Sequence, residues 1–228
     1  SDNNFNDVTD SKNWQHSINA EYFYYCANET IHGLEIHQIP NVNVPIVSDM
    51  SSTLCTRPIN IEKYGLIFAG AQKNLGIAGL TIVIVKKDLI IDKAKYLPPL
   101  MRFDSHYNEQ SMLNTSPVFS WYVAGLVFEW ILEQGGLDAM SKLNENKASL
   151  FYNYIDNSTL YQNHVNPKFR SWVNIPFTMT QDDLEKKFLK MSSDAGFKNL
   201  KGHRTVGGMR ASVYNAMPIE AITELITF

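Results

Sequence analysis

Short apolar runs separated by turn residues dominate the first part of the chain. Tyr22 to Cys26 form an aromatic run, Val44 to Val47 an apolar one, and Gly65 to Ala69 and Leu80 to Val85 are apolar and partly β-branched. Runs of this length, bounded by Gly, Asn and Asp, predict buried strands. Four such strands with short linkers predict a mixed or parallel sheet. Its helices lie partly upstream of Ser1, because the chain opens between two elements, as a fragment would. Lys86-Lys87-Asp88 ends the sheet, and residues 97–114 carry no period, which in a compact domain points to a functional segment. Ser116-Pro117 predicts a helix start, with serine as the cap and proline in the first turn, and Gly135-Gly136 predicts its stop. This helix is apolar nearly all round, which predicts burial between the sheet and a neighbour or between subunits, with its tryptophans in a core.

After Gly136 the pattern changes. Asp138 to Ile155 reads as an amphipathic helix, Trp172 to Phe177 as a strand, Asp182 to Ala195 as a helix closed by Gly196, and Pro218 to Phe228 as a last amphipathic helix. Asp182, Asp183, Glu185, Lys186 and Lys187 form a solvated face. The expected architecture is therefore α/β: part of a large domain with a mostly parallel sheet over residues 1–135, then a small α+β domain over residues 136–228.

Composition narrows the function classes. With 228 residues, 44% of them hydrophobic, the chain can bury a substantial core. Its 20 basic and 23 acidic residues, net charge −3, provide no basic stripe for nucleic acid and no polybasic membrane patch. Cys26 and Cys55 have neither metal-ligand nor CxxC spacing, and His32 and His37 have no third ligand, so no metal is expected. The polar opening, Ser1 to Asn13, does not read as a signal peptide, and the longest apolar stretch, Ile77 to Val85, is too short to span a bilayer. The expected location is cytoplasmic.

The candidate chemistry sits at the strand ends. In Phe68-Ala69-Gly70-Ala71-Gln72-Lys73-Asn74-Leu75-Gly76, a lone lysine lies among small residues between two strands. A turn lysine is most often simply solvated. Held by apolar walls, however, its ammonium form loses solvation and its amine becomes nucleophilic, as Schiff-base chemistry requires. Asp49 ends another apolar run, and ligands of open α/β sheets bind beyond the carboxyl ends of strands. A lysine and a carboxylate at two such ends are the pair that pyridoxal phosphate needs, one for its aldehyde and one for its ring nitrogen. Thr30 follows the first strand, where a hydroxyl either caps a turn or reaches a cofactor. His203, Arg204 and Arg210 surround a glycine turn. They read equally as a basic surface loop or as a site for a doubly anionic substrate, which arginine forks recognise bidentately.

These segments together resemble the phosphoserine aminotransferases, class V members of the fold-type I pyridoxal-phosphate enzymes. The resemblance rests on Tyr25 to Thr30, Ser48-Asp49-Met50-Ser51-Ser52, Gly70-Ala71-Gln72-Lys73-Asn74, Asn114-Thr115, and Gly202-His203-Arg204 through Ala211-Ser212. It implies that Lys73 holds the cofactor covalently, Asp49 pairs with the pyridine nitrogen, Thr30 bonds the ring hydroxyl region and Gln72 contacts the phosphate side. It implies further that Asn114 and Thr115 complete the phosphate site of the other subunit of a homodimer. His203 and Arg204 resemble part of the substrate phosphate site, and Arg210 the clamp on the α-carboxylate. The implied reaction is reversible transamination of O-phospho-L-serine with 2-oxoglutarate to 3-phosphooxypyruvate and L-glutamate, in serine biosynthesis. Two departures stand out: the family's amino-terminal segment, with a phosphate contact, a ring-stacking aromatic and a basic substrate contact, is absent, and Ser116-Pro117 stands where two prolines are common. The alternatives are an inactive truncated form of that enzyme and a class V lyase or desulfurase, for which neither cysteine occupies a plausible loop.

Overall fold

Alternation along two groups of strands builds two apolar clusters, and the candidate site lies where the groups meet. The computed structural model describes residues 5–15, 17–90 and 95–228. In chain order the elements are β1 (Phe23–Cys26), β2 (Asn28–Glu29), β3 (Leu34–Glu35), β4 (Ile46–Asp49), β5 (Leu66–Gly70), β6 (Thr81–Val85), α1 (Phe103–Asn108), α2 (Val118–Glu133), α3 (Gly136–Asp156), β7 (Tyr161–Gln162), β8 (Asn174–Met179), α4 (Asp182–Asp194), β9 (Met209–Ser212) and α5 (Ile219–Thr227). None of the helices among the described residues is long and apolar enough to cross a membrane.

The first sheet has the order β1-β4-β5-β6, with β1, β4 and β5 mutually parallel and β6 antiparallel. It is the mixed sheet that the four apolar runs predict. Tyr25, Ile46, Ile67 and Ala69 turn to one face and pack with Met50, Leu54 and Leu75. The second sheet, β7-β8-β9, is antiparallel. Ile175, Phe177, Met209 and Ala211 of this sheet bury against Phe151 and Ile155 of α3 and Ile222 of α5. In α3 the apolar stripe faces this cluster, as its amphipathic pattern requires.

Several elements depart from expectation. The stretch without a period holds a helical turn at Pro99–Met101 and the helix α1, which is too short for a period to register. Ser116 does not cap α2: its hydroxyl donates to Met112 Sδ at 3.2 Å, and Pro117 holds the cap position without a side-chain bond. Arg210 lies in strand β9, four residues with alternating burial, and not in the glycine turn itself. Within this chain α2 buries only one side, through Ser120, Ala124 and Ile131. Trp121 is 48% exposed and therefore not a core residue here, and Phe119 and Leu132 are exposed too. An all-apolar helix reports apolar surroundings, but not that the same chain supplies them.

The two sheets are locked together by buried polar groups. Gly33 brings the β2–β3 turn against β8; its φ is +72°, and a Cβ there would lie 2.2 Å from Pro176 Cδ. Only glycine meets both demands. Asn28 donates to Ser52 Oγ (3.0 Å) and to Asn174 Oδ1 (2.9 Å). The buried Glu35 carboxylate pairs with Arg57 and accepts from the Trp172 amide at 2.9 Å. Lys147, fully buried on α3, donates to the carbonyls of Val213 (3.1 Å), Tyr214 (2.8 Å) and Met217 (3.0 Å). Burial pushes its pKa down to about 8, so the ammonium form, the only one with three donors, persists at neutral pH.

Replacing Lys147 by methionine keeps the volume but orphans three carbonyls. Lys147→Met is expected to cost about 2–4 kcal/mol in a urea titration of the intact protein. A loss under about 1 kcal/mol would mean that water serves those carbonyls instead.

Candidate active site

Two loops at the carboxyl ends of adjacent parallel strands form the centre of the site. Asp49 is the last residue of β4, level with Phe68 of β5 and with Cys26 of β1. Its carboxylate accepts the Ser51 amide at 2.8 Å in an Asx turn, and its other oxygen makes no hydrogen bond among the described residues. After β5 the chain folds through a single turn, in which the Leu75 amide reaches the Ala71 carbonyl at 3.1 Å. Lys73 sits half-buried on that turn.

Side chains stitch the two loops together. The Gly70 amide donates to Ser51 Oγ at 3.1 Å, and Asn74 Nδ2 donates to the Ser52 carbonyl at 2.8 Å. The residues on either side of Lys73 are thereby tied to the loop that carries Asp49. Gln72, exposed, folds its amide back over Gly70, where an added Cβ would meet Gln72 Oε1 at 2.5 Å.

Burial lowers the pKa of Lys73 below the ordinary lysine range. Asp49 counters this with its negative charge, as the Cys26 thiolate does only at a pH high enough to form it, Arg210 adds to the lowering, and Glu29 opposes it. Those four groups therefore act on the amine through their charges. Cys26 is itself held as a neutral thiol, raised by burial and by the Asp49 charge. The unfolded chain keeps this lysine proton to a higher pH than the folded one, so the penalty of burying the Lys73 ammonium is relieved as pH rises through its folded value toward the ordinary lysine value.

Arg210 enters from the second sheet. Its Nη1 donates to the Thr30 carbonyl at 3.0 Å, across 180 residues of sequence. The Thr30 hydroxyl makes no hydrogen bond among the described residues, while Glu29 caps the same turn by accepting the amides of Ile31 and His32. Thus Thr30, Asp49, Lys73 and Arg210 come together. His203 and Arg204 lie on a turn closed by Gly202 to Gly208 (2.8 Å), with His203 Nδ1 2.8 Å from Thr205 Oγ1 and Arg204 exposed. Neither is among the groups that act on Lys73. Asn114 and Thr115 are exposed, and Asn114 lines a groove of about 720 Å³ between β6 and α2 whose lining includes neither Lys73 nor Asp49.

The sequence reading missed Asn215. It is buried, its amide donates to Asn74 Oδ1 (3.1 Å), its Nδ2 to the Cys55 carbonyl (2.9 Å), and its Oδ1 accepts from Asn144 (2.8 Å). Nothing local marks it; its partners lie 71 to 160 residues away.

The donor set suits pyridoxal phosphate: a half-buried amine with lowered basicity, a carboxylate with spare acceptor capacity one strand away, an unsatisfied hydroxyl, and a guanidinium beyond the amine.

The Aminotransferase class-V family matches residues 3–225. A phosphoserine aminotransferase of Idiomarina loihiensis is 47% identical over 97% of this chain and 62% of its own length. The solved phosphoserine aminotransferase of Bacillus circulans subsp. alkalophilus superposes with a TM-score of 0.95 at 42% identity, over 98% of this chain and 63% of that one. A PLP-bound phosphoserine aminotransferase of Trichomonas vaginalis gives 0.92 at 42% identity, over 97% and 63%. The chain thus spans under two thirds of the length of these relatives, and its fold is their α/β fold.

Because the Asp49 charge holds the Lys73 pKa up, Asp49→Asn is expected to move it further down. Competitive acetylation of the cofactor-free protein across pH, read by peptide mass spectrometry, reports the Lys73 midpoint; an upward movement would mean that the two groups do not share a site.

Proposed function

The chain belongs to the class V aminotransferase family, and on that premise we propose that the protein containing it is a pyridoxal-phosphate-dependent phosphoserine aminotransferase. It exchanges the amino group of O-phospho-L-serine with 2-oxoglutarate, giving 3-phosphooxypyruvate and L-glutamate, a step of serine biosynthesis. The observation that carries this reading is the desolvated Lys73 amine, under the charges of Asp49 and Arg210, on a loop tied by hydrogen bonds to the loop that follows Asp49. The names of the relatives support it.

Bound pyridoxal phosphate would supply an aldehyde that takes up amines and a ring that accepts the electron pair left at the substrate Cα. The residues of this chain do the remainder. Lys73 would hold the cofactor through Nζ, and the same Nζ would carry the proton away from the substrate Cα, a role that a lowered pKa favours near neutral pH. The Asp49 carboxylate keeps a proton on the ring nitrogen. Thr30 offers its hydroxyl to the ring substituent and Gln72 its amide to the cofactor phosphate side. The Arg210 fork binds the α-carboxylate, already steadied by the Thr30 carbonyl. His203 and Arg204 bind the substrate phosphate. With two substrates using one site in turn, the kinetics are ping-pong.

In this reading the protein is a homodimer in which Asn114 and Thr115 serve the phosphate site of the other subunit. The groove that Asn114 lines without Lys73 or Asp49, and the exposed apolar side of α2 that shares it, support that arrangement. Residues 1–135 form part of the cofactor-binding domain and residues 136–228 the small domain. A desulfurase would need a cysteine thiolate, and the raised pKa of Cys26 favours the transaminase.

Lys73→Ala is expected to abolish turnover of the intact protein, and unchanged turnover would sink the assignment. Arg210→Ala is expected to raise the KM for phosphoserine at least about 10-fold with cofactor still bound, as loss of a substrate contact requires. Loss of cofactor in that variant would assign Arg210 to the cofactor instead.

A further inference from the structure

The two groups that must address one substrate, Lys73 and Arg210, stand on different sheets, so something must set the distance between them. A short covalent and hydrogen-bonded ring does this. It runs from Lys73 to its neighbour Asn74, across to the Asn215 amide at 3.1 Å, and back along five residues of chain to Arg210. From Arg210 it passes to the Thr30 carbonyl at 3.0 Å, along the chain to Asn28, whose Nδ2 donates to Ser52 Oγ at 3.0 Å, and closes where Asn74 Nδ2 donates to the Ser52 carbonyl at 2.8 Å.

The segment from Arg210 to Asn215 is stiff. It begins in β9, registered on β8, and the Val213 amide reaches the Val173 carbonyl at 2.8 Å. Lys147 then grips the carbonyls of Val213, Tyr214 and Met217 on both sides of Asn215. Asn215 makes its side-chain contacts beyond this segment, to the Cys55 carbonyl on the lysine side and to Asn144 on α3. Cys55 presents that carbonyl from a left-handed conformation, φ +64°, uncommon for a residue with a side chain and a sign that the surroundings hold it there. Asn74 is equally committed, with its amide on the Ser52 carbonyl and its oxygen on Asn215.

We propose that Asn215 is a positioning residue that sets the spacing between the Lys73 amine and the Arg210 guanidinium, with Lys147 holding it in place. It touches neither substrate nor cofactor. This rests on the roles proposed above for Lys73 and Arg210. A displacement of about 1 Å at such a site is enough to cost on the order of 100-fold in rate.

The test is Asn215→Ala in the intact protein, with Asn144→Ala as a second variant that removes one tether of Asn215 from a helix outside the site. Amide hydrogen exchange over residues 70–76 of the cofactor-free protein is expected to quicken at least about 10-fold, as a loosened local unit does. In the loaded enzyme the KM for phosphoserine is expected to rise at least about 10-fold, with a smaller fall in kcat, since the binding geometry is what is lost. A purely structural role would lower the unfolding midpoint of both variants yet leave exchange at 70–76 and the KM at wild-type values in the folded protein, and that result overturns the proposal. If Asn215→Ala fails to fold, the same two readouts on Asn144→Ala decide. Failure of the underlying reading shows separately: turnover by Lys73→Ala would dismiss the role of the lysine, while the exchange result would still report whether Asn215 holds its turn.

Discussion

Asn74 is the joint on which the architecture turns. One end of its amide holds the Ser52 carbonyl and the other receives the Asn215 backbone, so a single buried side chain ties the loop after β5 to the loop after β4 and both to the second sheet. Buried polar groups are costly unless paired, which makes such a joint all-or-none: a small shift of either sheet would strand several donors at once. Asn28, Asn144, Asn174 and Glu35 add further bonds across the seam, although the Asn28 and Asn144 side-chain oxygens find no partner among the described residues. Apolar burial builds the two clusters but is indifferent to small slides between them. The directional bonds of the seam supply the register that burial lacks.

The electrostatics of Lys73 follow from that registration. Its amine sits in a balance, lowered by burial and by Arg210, raised by Asp49, Cys26 and Glu29. Each charge contribution comes from a different element: β4, β1, β2 and β9. The basicity of the amine is therefore a property of the assembled seam, and not of the turn that carries it.

The sequence made the sheet and the central pair legible for a simple reason. β4, β5 and β6 are short, apolar and bounded by turn residues, and a strand end fixes where Asp49 and Lys73 point. The features that escaped it share a different physics. β9, Met209-Arg210-Ala211-Ser212, offers no apolar run to mark it, and α1, at six residues, is too short for a helical period to be distinct. Asn215 and Lys147 resemble surface residues, and their burial is explained only by partners far along the chain, which periodicity does not encode. The exposure of Trp121 illustrates the converse, since hydrophobicity reports the need for cover without naming its source.

The edges of the first sheet have a consequence for strand pairing. β1 and β6 are its outer strands, with Tyr22 and Tyr24 exposed beside one and Val83 and Ile84 on the other. Neither edge is blunted by a proline or a bulge within the strand, the devices by which sheets ordinarily discourage recruitment of foreign strands. Outer strands of this kind are where a sheet can take on a further strand, from the same protein or from another.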